Sequence, residues 1–317
     1  MVFIDNFTDE RFWQKEHLKK SADIISIFCT AAFSLNVILA FVMSIWGLSK
    51  DYTLYMLSMT AVSVISILGV SLICARFSGG MKACIKKYEK KTSLFDNFLL
   101  VVFGFSGCMT VNFILNLIAT FLPIPVGSEI PTAENTDIYT TMLMQLAVAA
   151  APAICEEIAF RGFVMGSLSD FGDGFAILIS SMFFGMMHTG ISGILFAFSV
   201  GLLLGFIRKI SGSLIPSMIV HFLNNAYSVL MIVFLKMLDI EILGIISGTF
   251  VFIMLLVFAV MLIIFCNRKS VLSAFSTGEC ILTKAEKSKI IFTNPVLWVF
   301  VIFSVMTSIL SMAGMAE

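Results

Sequence analysis

The sequence predicts an all-α integral membrane protein, a polytopic helical bundle of about nine transmembrane helices with its N-terminus inside and its C-terminus outside. Three observations predict this fold class: the composition, a series of apolar stretches, and an uneven distribution of Lys and Arg. Of the 317 residues, 59% are hydrophobic and 13% are charged, and the mean hydropathy is +1.02. Soluble domains are about 25% charged, so this chain has too little polar surface for a water-soluble fold.

Apolar stretches of membrane-spanning length recur along the whole chain. Crossing a hydrocarbon layer of roughly 30 Å takes about 20 apolar residues. On this criterion the sequence predicts spans at 24–48, 53–75, 97–122, 138–168, 174–190, 192–208, 213–236, 241–266 and 294–314. The first apolar run is too long for the hydrophobic region of a signal peptide, so we expect no cleaved leader.

The basic residues between the spans indicate the orientation, because cytoplasmic loops carry the excess of Lys and Arg. With the N-terminus inside, seventeen of the twenty Lys and Arg lie on inner segments, Lys50 and Lys236 lie outside, and Arg161 lies within a span. The longest outer loop, 122–137, carries three acids and no base. The inner residues are Arg11, Lys15, Lys19, Lys20, Arg76, Lys82, Lys86, Lys87, Lys90, Lys91, Arg208, Lys209, Arg268, Lys269, Lys284, Lys287 and Lys289.

The composition also limits partners and cofactors. Twenty basic residues balance twenty acidic ones, so the net charge gives no indication of a nucleic-acid partner. The seven cysteines form no CxxC pair, which argues against a disulfide framework or a zinc site. We therefore expect membrane lipid and a peptide or membrane-protein substrate as partners, with no cofactor and no metal. The oligomeric state is left open.

Polar residues inside three of the predicted spans are the candidate functional residues. A charged side chain near the bilayer centre costs about 2.5–3.5 kcal/mol on insertion scales, so each one suggests a functional site. The fourth span contains two glutamates and an arginine, the fifth a histidine, and the seventh a histidine and two asparagines. These residues are Glu156, Glu157, Arg161, His188, His221, Asn224 and Asn225.

The fourth span separates its two glutamates by helical geometry. Residues four apart share a helix face, so Glu157 and Arg161 can pair and offset each other's burial. Glu156 faces elsewhere, beside a like charge and in a low dielectric, where it is suited to act as a general base. Pro152, four residues earlier, is expected to kink the helix, free a carbonyl and open a route for water.

The remaining candidates are predicted to meet Glu156 at similar depth. Glu156 and His188 are equidistant from Gly172, in a turn-like stretch, so both lie roughly 20 Å from that turn on antiparallel helices. His221 and Asn225, four apart, share one face of the seventh span. A Glu and a neutral His can activate a water for attack on a carbonyl. A second His and an Asn can donate hydrogen bonds to the developing oxyanion.

The same residues are also compatible with purely structural roles. The two glutamates and Arg161 could form only a helix-linking ion-pair network, and the histidines could be packed side chains hydrogen-bonded between helices. Asn224 points away from the face of His221 and is interpreted as structural. Cys155 has no neighbour that would activate a thiol, and a buried thiol is usually inert. The cost of burying charge favours a functional interpretation.

At these residues the sequence resembles the CAAX-protease and bacteriocin-processing (CPBP) family of intramembrane glutamic endopeptidases. The family motifs EExxxR, FxxxH and HxxxN occur in order as Glu156 to Arg161, Phe184 to His188, and His221 to Asn225. The resemblance covers roughly 138–235. We therefore divide the chain into an N-terminal tail with accessory spans (1–137), a catalytic core (138–236) and C-terminal accessory spans (237–317).

The resemblance implies the role of each matching residue. Glu156 and His188 would activate water, and His221 and Asn225 would form the oxyanion hole. Glu157 and Arg161 would support the site structurally, and Phe184 would pack beside His188. The implied activity is a metal-independent endopeptidase acting on a CAAX-like or small membrane-associated peptide. The host membrane is expected to be a bacterial plasma membrane, or the endoplasmic reticulum in a eukaryote.

Three other functions are compatible with some of these residues. A metalloprotease could use His188, His221 and Glu156 as Zn²⁺ ligands, but the sequence has no HExxH helix to support it. A non-catalytic immunity or regulatory protein could use the same polar pocket to bind a peptide or a sensor partner. A proton-coupled transporter is disfavoured because the sequence shows no recognisable inverted repeat.

Overall fold

The computed structural model describes residues 2–88, 90, 92–121, 137–268 and 280–314, and every regular element in these ranges is helical. Eleven main helices follow one another within the described ranges. They are α1 (Val2–Ile45), α2 (Tyr52–Arg76), α3 (Met81–Lys86), α4 (Leu94–Phe121), α5 (Ile138–Phe171), α6 (Asp173–Met186), α7 (Ile191–Ser211), α8 (Ile215–Met237), α9 (Ile240–Cys266), α10 (Lys284–Phe292) and α11 (Pro295–Gly314).

Seven of the described helices are long and apolar enough to cross a membrane: α1, α2, α4, α5, α7, α8 and α9. The number becomes eight if α10 and α11, which are bent by 70° relative to each other, count as one span. The chain is therefore an integral, multi-pass membrane protein. The predicted all-helical membrane fold agrees with this arrangement, whereas the count of nine spans and the orientation are not confirmed.

The predicted fifth span, 174–190, is the main departure from the expected spans. It corresponds to α6, which has only 14 residues. At about 1.5 Å per residue this helix is about 21 Å long, shorter than the roughly 30 Å hydrocarbon layer. The helix ends at Met186, and Gly190 with φ of +74° turns the chain into α7.

Arg208, one of the basic residues predicted on inner segments, is not exposed at the surface. Arg208 lies within α7 and is fully buried, and its Nη2 donates to the backbone carbonyl of Ile85 at 2.6 Å. Helix α7 extends to Ser211, three residues beyond the predicted end of the span, so Arg208 and Lys209 both lie within the helix. Lys91, Lys269 and residues 122–136 of the predicted outer loop lie outside the described residues.

Helices α6 and α7 pack closely because α7 presents small residues to its neighbour. A Cβ atom added at Gly201 would lie 3.0 Å from the Cβ of Ser181, and one at Gly205 would lie 2.9 Å from the side chain of Ile177. Such a close approach is typical of glycine-lined interfaces between membrane helices. Gly201 and Gly205 therefore allow α7 to approach α6 this closely.

Helix α5 is the least regular of the long helices. It contains π-helical segments at Gln145–Ala150 and at Glu157–Val164, and Pro152 lies in the short α-helical segment between them. Single π-turns within α-helices occur often at functional sites, because they rotate the side chains that follow relative to a regular helix. The second π-segment begins at Glu157, within the predicted catalytic motif.

The two ends of the chain meet beside the core. Glu286 of α10 accepts from Arg11 and Lys15 of α1, each at 2.9 Å. Lys287 of α10 donates to the carbonyl of Phe171 at 2.7 Å, next to the turn between α5 and α6. Helix α10 therefore connects the N-terminal helix to the turn that precedes α6.

Candidate active site

The four predicted catalytic side chains line one cavity of about 280 Å³. Glu156 comes from α5, His188 from the turn after α6, and His221 and Asn225 from α8. The rest of the wall is mostly apolar. It is formed by Val148, Pro152, Phe184, Gly193, Phe196, Ala197, Val200, Asn224 and Ser228.

Glu157 lies behind this cavity in a buried ion pair. Its Oε1 is 3.0 Å from Nη1 of Arg161, and both side chains are almost completely buried. The guanidinium of Arg161 also stacks over the ring of Phe184 at 4.3 Å and donates to the carbonyl of Gly201 at 3.4 Å. The pairing expected from the four-residue spacing is present, and through Arg161 it connects α5 with α6 and α7.

His221 lies between the two glutamates. Its Nδ1 is 3.1 Å from Oε1 of Glu157, and its Nε2 is 3.6 Å from Oε2 of Glu156. Glu157 is an acceptor only, because it is held as a carboxylate by Arg161, so Nδ1 of His221 carries the hydrogen in this contact. This hydrogen bond orients Nε2 toward Glu156 and the cavity. The imidazole is thus fixed by one carboxylate and faces another.

His188 is oriented by its own helix. Its Nδ1 is 3.0 Å from the carbonyl oxygen of Phe184. A carbonyl can only accept, so Nδ1 carries the hydrogen and Nε2 of the neutral ring is left as an acceptor. The ring packs edge-on against Phe184 with 5.0 Å between centroids, as predicted. His188 was expected inside a span, but it lies in the turn just beyond the end of α6.

Asn225 is fixed by a carbonyl that a proline leaves without its usual partner. Pro152 has no N–H, so it cannot donate to the carbonyl four residues earlier, which belongs to Val148. Nδ2 of Asn225 donates to that carbonyl oxygen at 3.2 Å, and its Oδ1 accepts from Asn224 at 3.1 Å. Nδ2 has a second hydrogen that can serve a ligand in the cavity.

Two polar lining residues were not predicted as part of the site. Asn224 was interpreted as pointing away from the cavity, but it lines the cavity and orients Asn225. Ser228 also lines it, and its hydroxyl donates to the carbonyl of Asn224 at 3.4 Å. Ser228 follows His221 by seven residues, so the helical periodicity that linked His221 to Asn225 contained this signal too.

The described part of the chain contains no group of three His, Cys, Asp or Glu side chains arranged to hold a metal ion. What the cavity does contain is one carboxylate, two imidazoles and a carboxamide on largely apolar walls. Such a set can accept a proton from a water molecule and can donate hydrogen bonds to a developing negative charge.

Comparison with known proteins agrees with this arrangement. Residues 138–227 match the model of the Rce1-like family of type II CAAX prenyl endopeptidases, and this range contains all three motifs. No curated protein and no solved structure matches the chain. Over residues 138–227 the chain is thus similar to type II CAAX prenyl endopeptidases, in agreement with the resemblance carried by its three ordered motifs.

Proposed function

We propose that this membrane protein is an intramembrane glutamic endopeptidase that hydrolyses a peptide bond with an activated water. The family match supports a CAAX-type membrane protease at the coarser level. The observation that carries the finer proposal is the shared cavity, which brings Glu156, His188, His221 and Asn225 together from three parts of the sequence.

In the first step, Glu156 takes a proton from a water molecule while Nε2 of His188 accepts the water's second hydrogen bond. The water oxygen attacks the carbonyl carbon of the scissile bond, and a tetrahedral oxyanion forms. Removal of the proton during attack avoids the formation of free hydroxide, a contribution of about 10²–10⁴ in rate for general bases. Collapse of the intermediate breaks the C–N bond, and the proton on Glu156 passes to the leaving amine.

The oxyanion is stabilised by donors from α8. Asn225 offers the second hydrogen of Nδ2, because its first is used by Val148. His221 offers Nε2–H when its ring is doubly protonated, and the contact of Nδ1 with Glu157 holds the ring in place. One such donor contributes about 3–4 kcal/mol in enzymes where it has been removed. Glu157 and Arg161 act indirectly, because they hold His221 and Phe184 in place.

The substrate that we propose is a CAAX-like or small membrane-associated peptide. The apolar walls of the cavity, including Phe196 and Val200, suit aliphatic side chains rather than charged ones. Around the core of 138–236 we retain the proposed accessory segments 1–137 and 237–317. We also retain the proposed nine-span topology with the N-terminus inside, and a bacterial plasma membrane as the proposed location.

Replacement of Glu156 tests the mechanism. The full chain is reconstituted in liposomes with a quenched fluorescent CAAX peptide, offered with and without a prenyl group. We expect Glu156→Gln to lower cleavage by about 10³-fold or more, because the amide cannot take a proton from water. The neighbouring Cys155→Ser is the control and should retain the wild-type rate, since Cys155 does not line the cavity.

Two outcomes would contradict the proposal. Cleavage retained in Glu156→Gln would exclude the glutamate as the base, and loss of cleavage in Cys155→Ser alone would point to a thiol nucleophile. A wild-type chain that cuts neither peptide would exclude a CAAX-like substrate. Activity that persists in a strong chelator, with no stoichiometric metal in the purified protein, is expected for a metal-independent enzyme, and its loss would favour the zinc alternative.

A further inference from the structure

A second cavity, of about 140 Å³, is lined on α5 by Ser167 near the end of that helix, whereas the candidate active site is lined by Val148, Pro152 and Glu156. It is formed where α1, the turn between α2 and α3, α3 and the end of α5 come together. It shares no lining residue with the catalytic cavity. Its presence does not depend on the proposed proteolytic function.

The lining of this cavity is strongly biased toward positive charge. Lys20, Lys87 and His17 line it, and none of its described lining residues is an acid. Lys87 is paired with Asp170 at 2.5 Å, whereas no acid in the described ranges lies within ion-pair distance of Lys20. The pocket therefore holds at least one cationic group whose charge is not balanced by a partner.

Hydrogen-bond donors lie beside these cations. The hydroxyl oxygen of Ser78 is shielded from solvent and has no hydrogen-bond partner among the described residues. A buried polar atom without a partner is costly, so a ligand that accepts its hydrogen would relieve that cost. Ser167 supplies a second hydroxyl. Burial raises the pKa of the Cys84 thiol at the back of the cavity, so this group stays neutral and does not repel an anion.

The surroundings of the cavity indicate the source of the anion. Ile24 begins the first predicted span, and Phe77, which follows the end of α2, is 66% exposed. The cavity therefore lies beside the end of α2 and the start of the apolar part of α1, the level at which we expect lipid headgroups to meet the protein. Basic pockets between membrane helices at this level are suited to phospholipid headgroups.

We propose that this cavity binds a phosphate group, supplied by an anionic phospholipid headgroup or by free phosphate. Lys20 provides the unpaired positive charge, Lys87 provides a further N–H donor beside its partner Asp170, and the hydroxyl of Ser78 donates a hydrogen bond to a phosphate oxygen. Charge-assisted hydrogen bonds of this kind are about twice as strong as neutral ones. Lipid bound here would fix α1 and α3 against the end of α5.

The test measures the thermal stability of the purified full chain in a neutral detergent at low salt. The probes are dioctanoyl phosphatidylglycerol, dioctanoyl phosphatidylcholine and inorganic phosphate. A ligand that binds the folded state raises Tm in a saturable way. We expect phosphatidylglycerol to raise Tm, and we expect Lys20→Gln and Ser78→Ala each to weaken its apparent Kd by about 10-fold, the value of one hydrogen bond to a charged group.

Lys19→Gln is the matched control, because it removes the same charge from the adjacent exposed position of α1 without touching the cavity. Unchanged binding in Lys19→Gln alongside weaker binding in Lys20→Gln supports the site. Saturable stabilisation by inorganic phosphate alone, also weakened in Lys20→Gln, supports the site with free phosphate as its ligand. Equal effects of the lipid on all variants, or no stabilisation by any anionic probe, would overturn the proposal.

Discussion

Helices α5 and α9 differ in how apolar they are and in how much of each is buried. The most apolar stretch of α9 has a mean hydropathy of 3.1 and only 11% of it is buried, whereas α5 has a mean hydropathy of 1.6 and 39% of it is buried. The most apolar helix is thus the one that faces lipid, and the least apolar span lies inside the bundle. In a bilayer, high hydropathy indicates contact with lipid, and polar interruptions indicate contact with protein.

We expect the largest difference in the free energy of unfolding when an ion pair is broken inside the bundle and when one is broken at the accessory end of the molecule. Arg161→Met would leave Glu157 charged and buried without a partner, which typically costs about 3–5 kcal/mol. Arg11→Met removes one of two cations from the more exposed Glu286 at the accessory end of the molecule, where such pairs contribute about 0–1 kcal/mol. The free energies of unfolding in mixed detergent micelles would measure both effects. Equal losses would show that burial of the Glu157 pair carries no special cost.

The second prediction compares a glycine-to-leucine substitution at the interface of α6 and α7 with the same substitution on α9. Gly201→Leu forces a side chain against Ser181, at a position where even a Cβ would lie 3.0 Å from its neighbour, so we expect a loss of about 1–3 kcal/mol. A Cβ added at Gly248 on α9 meets no atom within 4 Å, so Gly248→Leu should lower stability by no more than about 0.5 kcal/mol. The same unfolding measurement applies. A large loss at Gly248 would mean that α9 has a protein neighbour in solution.

The smallest expected effect is a difference in the rate at which two cysteines react with an added reagent, and it involves no change in stability. Cys155 in α5 is buried, and Cys266 at the end of α9 is exposed. We expect a maleimide added to the folded protein in detergent to label Cys266 at least about 10-fold faster than Cys155, because buried thiols are unreactive. Peptide mass spectrometry would give both rates. Comparable rates would indicate that the region around Cys155 opens on the timescale of labelling.

Several features of the fold could be predicted because they depend on local sequence. The seven apolar helices appear as long hydrophobic runs, and the pairing of Glu157 with Arg161 follows from helical spacing. The early end of α6 could not be predicted, because its apolar run continues into the turn that holds His188. Burial of Arg208 was missed because its partner is the backbone carbonyl of Ile85, which the sequence does not mark.

The geometry of the candidate active site could also be predicted only in part. The motifs identified which side chains line the cavity, but the contact of His221 with both glutamates depends on the rotation and depth of α8 relative to α5. These are properties of helix packing, and a single sequence carries no direct signal for them. Asn224 was assigned to the wrong face for a related reason. Adjacent residues on a helix differ by about 100°, yet a cavity can be wide enough to reach both.

The irregularity of α5 has a consequence for any attempt to improve this protein. Its proline and π-turns withhold backbone groups from the helix, and one of them, the carbonyl of Val148, is used by Asn225. An idealised version of α5 would return that carbonyl to the helix and would release the carboxamide from its orientation. Stability and activity are therefore opposed at this helix, and engineering for robustness is better directed to the lipid-facing helices.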